Sequence, residues 1–583
     1  MIHETMQETY ERWCSLAVED EDVVKELQQM KGNPKALEDA FYKELSFGTG
    51  GLRGVIGAGP NQLNIYTIGK ASQGLARYIV SNFPREQWNI AVSYDSRIKS
   101  DIFAKRAAEV FAAAGLQVYL YPQLMPTPCL SFAVRELGCV AGVMVTASHN
   151  PSKYNGYKVY GADGCQITTA AAKAIYKEIQ AVDIFTDVER IPFEEALACG
   201  QIRYIDSVVE DAFIEAVKAQ SLLTEDMSVN KDVAIVYSPL NGTGLKLVMR
   251  TLQECGYTNI TVVKEQEQPD GHFPTCPKPN PEVREAMELG LQYARKYQAD
   301  LLLATDPDCD RVGIAVKNDQ GEYVLLSGDE TGMLMLDYVC DMRRRQGRMP
   351  QDPVAMKTIV TIDMAERIAA HYGVRTINVL TGFKYIGEQI GLLEQAGKLD
   401  SFVFGLEESY GYLSGTYVRD KCGVVSSLLI CDMYAWYRSQ GISLYERLQQ
   451  IYAQYGYCCK TQHSYTFEGA AGFAKMQEIM ARIRQEGEAC NGIVEEAGDA
   501  MRIGKLVIGG KQVVRCLDYS QGINGLPPSN VLKFYLEDNC SIVVRPSGTE
   551  PKLKLYFSVC SEDQQAAAAL EKEMAAQMKE YMK

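Results

Sequence analysis

Ser148 stands in the segment Thr146-Ala147-Ser148-His149-Asn150-Pro151, directly after the apolar run at 140–145. A serine hydroxyl set between small residues and beside a histidine is a nucleophile once its surroundings activate it or stabilise charge. Taken alone the segment also reads as a polar turn after a strand, because Ser and Asn are ordinary turn formers. Three further loops, far away in the chain, carry what a phosphorylated serine would need.

The first of them, Asp306-Pro307-Asp308-Cys309-Asp310-Arg311, follows the apolar run at 301–304 and sets carboxylates at i, i+2 and i+4. In a tight loop their oxygens converge on one hard cation, which prefers oxygen ligands. Without a cation the carboxylates repel one another and their pKa values rise. An EF-hand is disfavoured, since the loop has no glycine at its sixth position. Asp329 and Glu330 read as the N-terminus of a helix, where the dipole favours negative charge. Arg545-Pro546-Ser547-Gly548-Thr549-Glu550-Pro551-Lys552 joins a fork-shaped cation to two hydroxyls and a glycine-bearing turn. That combination holds a phosphate through charge-assisted bonds and loop amides. Gly405-Leu406-Glu407-Glu408-Ser409-Tyr410-Gly411 follows a strand and offers acceptors for sugar hydroxyls, or else the acidic start of a helix.

Short apolar strands alternating with helices must carry these loops. Strands are expected at 90–93, 118–121, 140–145, 233–237, 300–305, 358–361, 376–380 and 401–404, and helices at 66–80 and 208–219. Such a rhythm implies parallel-rich βαβ units. From about 456 the texture changes to alternating strands at 513–517, 531–536, 541–544 and 553–559 with a terminal helix, an α+β pattern with an antiparallel sheet. A chain of 583 residues is too long for one core and divides into about three to five domains.

Composition narrows the partners. With 46% hydrophobic and 23% charged residues the chain is globular, and a net charge of −15 argues against a general nucleic-acid binder. The acidic N-terminal segment lacks the basic and apolar regions of a signal peptide. The greasiest stretch, 424–436, is broken by Ser426, Ser427 and Asp432 and reads as a packed helix, so no membrane partner is expected. Seventeen scattered cysteines without a Cys-x-x-Cys pair, and only five histidines, exclude a structural-zinc cluster. Reduced cysteines in a cytoplasmic protein are the expectation.

In their order and spacing the four loops resemble the α-D-phosphohexomutases, over about residues 40–583. The length and the Gly48-Thr49-Gly50-Gly51-Leu52-Arg53-Gly54 entry are similar to the longer phosphoglucomutase/phosphopentomutase branch. The resemblance implies an α/β fold of four domains, namely three related α/β domains with mixed sheets and a C-terminal α+β domain, around an active site in a central cleft. The boundaries expected are 1–204, 205–326, 327–455 and 456–583.

It further implies Mg²⁺ held by Asp306, Asp308, Asp310 and Ser148, the last carried as phosphoserine. His149, Lys158, Arg53 and Lys421 would support catalysis. Thr381, Gly382, Glu407, Ser409, Arg311, Arg545, Ser547, Gly548 and Thr549 would bind substrate. The implied reaction interconverts glucose 1-phosphate and glucose 6-phosphate, with glucose 1,6-bisphosphate as intermediate and primer. Small-molecule sugar phosphates are the partners, and the protein is expected to be a monomer or weak homodimer.

The chain departs from the family pattern at Pro307, Cys309 and Leu406, each standing where many members carry glycine. The stretch from Glu407 to Lys421 is also slightly longer. Glu408 in place of methionine disfavours the glucosamine-phosphate branch. The alternatives keep the site and change the outcome: a phosphopentomutase, a phosphomannomutase, a sugar-bisphosphate synthase, or a non-catalytic sugar-phosphate sensor. A serine hydrolase is weaker, because adjacent Ser148 and His149 are expected to point apart and there is no Gly-x-Ser-x-Gly elbow.

Overall fold

A computed structural model describes residues 5–48, 50–467, 469–488, 506–523, 525–547 and 551–582. The chain forms two compact units. One comprises Met1–Gly328, Phe383–Gly405 and Ser409–Gly441, and the other Asp329–Gly382, Leu406–Glu408 and Ile442–Lys583.

The first unit opens with three helices, α1 (Met6–Leu16), α2 (Glu21–Met30) and α3 (Pro34–Phe41), each started by a side-chain cap, from Thr5, Asp20 and Asn33. Such caps satisfy amide donors that a helix leaves unpaired. A mixed sheet follows, built of β1 (Gly51–Val55), β2 (Asn89–Tyr94), β3 (Gln117–Leu120), β4 (Ala141–Val145), β5 (Tyr154–Gly161) and β6 (Ile202–Tyr204) in the order β1-β5-β4-β2-β3-β6. Strands β4, β2, β3 and β6 are parallel, whereas β5 runs antiparallel to β4 and β1 to β5. Strand β4 is buried along its whole length, as expected where both faces of a parallel strand are covered. The covering helices include α4 (Ile65–Asn82), α5 (Ser100–Ala113) and α6 (Thr127–Glu136).

A second mixed sheet in this unit comprises β7 (Ile235–Ser238), β8 (Ile260–Val262), β9 (Leu301–Thr305), β10 (Val312–Lys317) and β11 (Tyr323–Leu326), ordered β11-β10-β9-β7-β8. β9 and β10 are an antiparallel hairpin in which Thr305 faces Val312, so 306–311 is its loop. The expected greasy helix is the buried helix Gly423–Ser439, and among the described residues no helix is long and apolar enough to cross a membrane.

In the second unit β12 (Val354–Thr358) and β13 (Arg375–Val379) pair in parallel. The strand expected at 358–361 therefore ends where it was expected to begin. The Thr358 and Thr361 hydroxyls are 2.9 Å apart, and Thr358 Oγ1 accepts the Thr361 amide at 3.2 Å. Side-chain acceptors of this kind compete with ladder bonds and turn the chain. Asp329 and Glu330 open the helix Gly328–Arg345, as expected. β14 (Phe402–Glu407), whose residues up to Gly405 belong to the first unit, and β15 (Gly411–Leu413) of the first unit flank the turn 408–410.

The C-terminal sheet joins β16 (Tyr457–Thr466), β17 (Val507–Ile508), β18 (Lys511–Asp518), β19 (Leu532–Leu536), β20 (Ser541–Pro546) and β21 (Lys552–Ser561), in the order β16-β21-β20-β19-β18-β17. Its strands pair antiparallel along this order among the described residues. The expectation of reduced cysteines fails at one place here. Cys458 and Cys560 face each other on β16 and β21, Cα–Cα 4.1 Å, and form a disulfide. Directly opposite positions on adjacent strands bring the two sulfurs together.

Candidate active site

Strand β4 ends at Val145 and delivers Ser148 into a loop that returns as β5. Ser148 is 3% exposed and has φ 53°, a left-handed conformation that non-glycine residues avoid. Its amide is held by Thr146 Oγ1 at 2.8 Å. That turn brings His149 Nδ1 to 3.1 Å from Ser148 Oγ, so the two side chains do not point apart as expected. Burial, followed by the charges of Arg311 and Arg53, holds His149 well below the usual imidazole range, hence neutral.

The β9–β10 loop gathers Asp306, Asp308 and Asp310, whose carboxylate oxygens lie within 4.8 Å of one another. All three side chains are buried. The Asp306 carboxylate shapes its own loop, Oδ1 accepting the amides of Asp310 at 3.2 Å and Arg311 at 3.0 Å. Oδ2 of Asp306 accepts the Ser148 hydroxyl at 2.9 Å. Asp308 Oδ1 and Asp310 Oδ1 are buried and take no hydrogen bond from the described residues. A buried acceptor left unpaired is costly, and an all-oxygen donor set fits a hard divalent cation such as Mg²⁺. The residues present therefore fit the expected metal.

Charge sorts the three carboxylates. Burial, then Asp310 and Asp308, pushes Asp306 well above the usual carboxylate range. Burial also works against Asp308, but Lys158 together with hydrogen bonds from Asp306 and Thr127 outweighs it and holds that group low. Burial and the Asp308 charge push Asp310 up to about 6, against the pull of Lys421 and Lys158. Lys158, opposite Met144 in the β4–β5 register, reaches Asp308 at 2.9 Å and Asp310 at 3.7 Å. Lys421 reaches Asp310 Oδ2 at 3.6 Å, which places it at the cluster despite the longer stretch before it. Arg311 binds Glu282 at 2.5 Å with its Nε 3.8 Å from Asp310. Arg53, exposed on β1, feels Asp308 and Asp310 electrostatically. A surplus of cations around three carboxylates suits a phosphate and a divalent ion held together.

Three residues here escaped sequence reasoning. Thr127 donates to Asp308 Oδ2 at 2.9 Å, and its amide donates to the Asp308 carbonyl at 2.9 Å. Tyr160 donates to Asp420 Oδ2 at 2.7 Å, and Asp420 Oδ1 accepts the amide of Lys421 at 2.9 Å. Neither a lone Thr-Pro nor an Arg-Asp-Lys triplet carries a spacing that signals such a role. The one available cue was that Tyr160 and Lys158 lie two apart on a strand and share a face.

The remaining expected residues are placed as follows. Ser409 lies in the turn after β14, and Glu407 is that strand's last residue, buried at 4% exposure. Glu408 accepts from Thr358 at 2.9 Å and Thr361 at 3.3 Å, so it braces a turn. Thr381 and Gly382 form a bend after β13, with Gly382 at φ 111°, where a side chain would be strained. Arg545 faces Lys554 across β20 and β21, and the Ser547 amide donates to the Lys552 carbonyl at 2.8 Å. Gly548 and Thr549 lie outside the described residues.

Models of four consecutive phosphoglucomutase/phosphomannomutase domains match the chain. Alpha/beta/alpha domains I, II and III match 44–184, 211–321 and 327–455, and the C-terminal domain matches 491–577. The phosphoglucomutase of Staphylococcus saprophyticus is 35% identical over 535 residues, covering 89% of this chain and 91% of its own. That of Staphylococcus aureus is 34% identical over 550 residues, covering 94% and 95%. Among solved structures, parafusin, a phosphoglucomutase from Paramecium, superposes with TM-score 0.66 at 17% identity, covering 93% of this chain and 95% of its own. The chain belongs to the phosphoglucomutase/phosphomannomutase family and is, like the bacterial phosphoglucomutases, a mutase of the isomerase class.

Proposed function

We propose that the protein is an Mg²⁺-dependent α-phosphoglucomutase that interconverts glucose 1-phosphate and glucose 6-phosphate through phospho-Ser148 and glucose 1,6-bisphosphate. The observation that carries this reading is the Ser148 hydroxyl, 2.9 Å from Asp306 Oδ2 within the buried carboxylate cluster. The names of the curated relatives favour the hexose over a pentose. In this reading the four domains run 1–204, 205–326, 327–455 and 456–583, and the enzyme works in the cytoplasm as a monomer or weak homodimer.

Phosphate-ester transfer draws its rate from positioning and charge stabilisation. Asp306, Asp308, Asp310 and an oxygen of phospho-Ser148 would hold Mg²⁺, which neutralises charge spreading over the moving phosphoryl group. Lys158, Lys421, Arg311 and Arg53 add positive charge on the protein side. In the first half-reaction the phosphoryl group leaves Ser148 Oγ for the free hydroxyl of the sugar monophosphate, and that hydroxyl's proton ends on Ser148 Oγ, giving the bisphosphate. In the second, Ser148 Oγ takes the other phosphoryl group and its proton ends on the sugar oxygen released. Neutral His149 Nδ1 and Asp306 Oδ2 both stand within hydrogen-bond reach of Ser148 Oγ. Arg545, Ser547, Gly548 and Thr549 hold the resting phosphate. Thr381, Gly382, Glu407 and Ser409 bind the sugar in either orientation.

Initial rates on glucose 1-phosphate, mannose 1-phosphate and ribose 1-phosphate, each with Mg²⁺ and its bisphosphate, test the assignment. A large preference for glucose 1-phosphate is expected. A preference for ribose 1-phosphate would overturn the substrate while leaving the site intact.

A further inference from the structure

Arg97 takes no part in the chemistry above, yet its side chain is 0% exposed. It lies in the turn between β2 and α5, and its fork is spent on one stretch of backbone. Nη1 donates to the carbonyls of Pro151 at 3.0 Å and Tyr154 at 2.9 Å. Nη2 donates to the carbonyl of Ser148 at 2.5 Å and to that of Asn150. Asp95, itself 2% exposed, fixes the guanidinium from behind: Oδ1 accepts the Arg97 amide at 2.9 Å and the Ser100 hydroxyl at 2.8 Å, and Oδ2 lies 3.5 Å from Arg97 Nε. The next turn is pinned as well. Lys99, at φ 61°, pairs with Asp20 and Asp22, each at 2.9 Å.

Withdrawing a guanidinium from water is expensive, and good geometry with several acceptors must offset it. Here the acceptors are four carbonyls of the segment that carries Ser148 in its left-handed conformation. Strain of that kind persists only where the surroundings over-determine it. The carbonyl of Ser148 is the strained residue's own and that of Asn150 lies two residues on, while those of 151 and 154 fix the return into β5.

We propose that Arg97 is a positioning residue for Ser148: by gripping four carbonyls of the loop, it holds the left-handed turn that aims Ser148 Oγ at Asp306. This rests on the assignment of Ser148 as the phosphoryl carrier. A residue needed only for folding would lower the amount of active protein. A positioning residue lowers turnover in folded protein and leaves substrate docking intact, because none of its bonds reaches the residues assigned to the sugar.

The test is Arg97→Lys in the full chain. A lysine is a point charge that cannot span four carbonyls as a planar fork does. With Mg²⁺ and glucose 1,6-bisphosphate, kcat should fall about 100-fold, the scale of a misplacement of roughly 1 Å. KM for glucose 1-phosphate should stay within about threefold. Amide hydrogen exchange across 148–155 should quicken at least about tenfold, with the C-terminal sheet unchanged. Wild-type kcat, or unchanged exchange across 148–155, overturns the proposal.

If Arg97→Lys does not fold, Asp95→Asn decides. It keeps the side-chain shape and Oδ1 and removes the charge facing Nε, so the same changes are expected on a smaller scale. Unchanged kcat and exchange there would also overturn the proposal. Exchange needs no turnover, so it reads the grip itself. Ser148→Ala, assayed in parallel, separately reads the phosphoserine assignment.

Discussion

Ser148 Oγ and Asp306 Oδ2 are 2.9 Å apart although 158 positions separate the residues in the chain. The contact exists because β4 and β9, both wholly buried strands of mixed sheets, release their loops beside one another. Open α/β sheets place ligand sites at such carboxyl ends. The hydroxyl then faces a carboxylate that burial disposes toward protonation, at the edge of a cluster with unpaired oxygens. A hydroxyl in that place is more than a turn residue, because it stands beside a carboxylate and beside three buried aspartates whose oxygens could hold a cation.

Removing the hydroxyl should therefore end turnover. Ser148→Ala is expected to lower kcat by at least about 10⁴-fold, as for other covalent nucleophiles. Intact-mass measurement after incubation with glucose 1,6-bisphosphate should show a phosphorylated wild type and an unmodified variant. Binding of glucose 1-phosphate should persist, since the residues assigned to docking are untouched. A variant that retains turnover near the wild-type level would sink the phosphoserine assignment.

Proton and metal should compete at Asp310. Its carboxyl is pushed up to about 6 by burial and then by Asp308. A carboxylate binds metal only after losing its proton. The folded value lies above the ordinary value of about 3.9, so the cation-free protein keeps this proton up to about pH 6. Through Asp310 alone Mg²⁺ affinity should fall by about tenfold per pH unit below that point, and Asp306, whose carboxyl burial pushes well up, adds to the loss as the pH is lowered. The same sign governs stability: what the raised pKa contributes is present below about pH 3.9 and lost as pH rises through 6. Added Mg²⁺ should thus raise the melting temperature more at about pH 7.5 than at about pH 5. Calorimetric titration at the two pH values checks the affinity, and equal affinity would refute the competition.

The loops 146–151 and 306–311 were legible in the sequence because each joins residue types whose chemistry is local, as in the i, i+2, i+4 carboxylates of 306–310. The strands that carry them were legible as unbroken apolar runs, 141–145 and 301–305, since burial on both faces removes alternation. Strands β5 and β10 were not, although they follow the two reactive loops. β5, Tyr154–Gly161, mixes Asn, Gly and Lys with aromatic residues and shows neither period. The 358–361 strand was misplaced because threonine has high β-propensity yet here spends its hydroxyls on a turn. Most hidden were Thr127, Asp420 and Arg97, which act through partners 181, 260 and 51 or more positions away. No local pattern encodes such a pairing.

The 306–311 loop is closely packed from behind. A Cβ built on Gly423 would lie 2.6 Å from the carbonyl oxygen of Cys309 and 3.1 Å from its sulfur. Gly423 also donates its amide to that carbonyl at 3.0 Å. Cys309, at φ 50°, sits between Asp308 and Asp310 and cannot retreat without moving both. Gly423→Ala should weaken Mg²⁺ binding by about tenfold or more while Ser148 stays intact, since overpacking of this kind costs about 1–3 kcal/mol. Unchanged Mg²⁺ affinity in a folded variant would show that the loop relaxes freely.

The face of β5 that carries Lys158 should also be sensitive at Tyr160. This ring is fully buried, and its hydroxyl donates to Asp420 Oδ2 at 2.7 Å. Asp420 in turn orients the backbone of Lys421, whose ammonium stands 3.6 Å from Asp310. Tyr160→Phe deletes one oxygen and leaves the buried Asp420 oxygen without its donor, at a cost of about 1–3 kcal/mol. The carboxylate is then free to shift toward Lys158, which already feels its charge. Lys421 loses its fixed anchor as a result. A lower melting temperature together with a several-fold lower kcat is expected, and both should be milder in Asp420→Asn, whose oxygen can still accept the Lys421 amide while its NH2 donates to the Tyr160 hydroxyl oxygen. If Tyr160→Phe melts and turns over like the wild type, Asp420 finds a new partner unaided and the tyrosine has no part in placing Lys421.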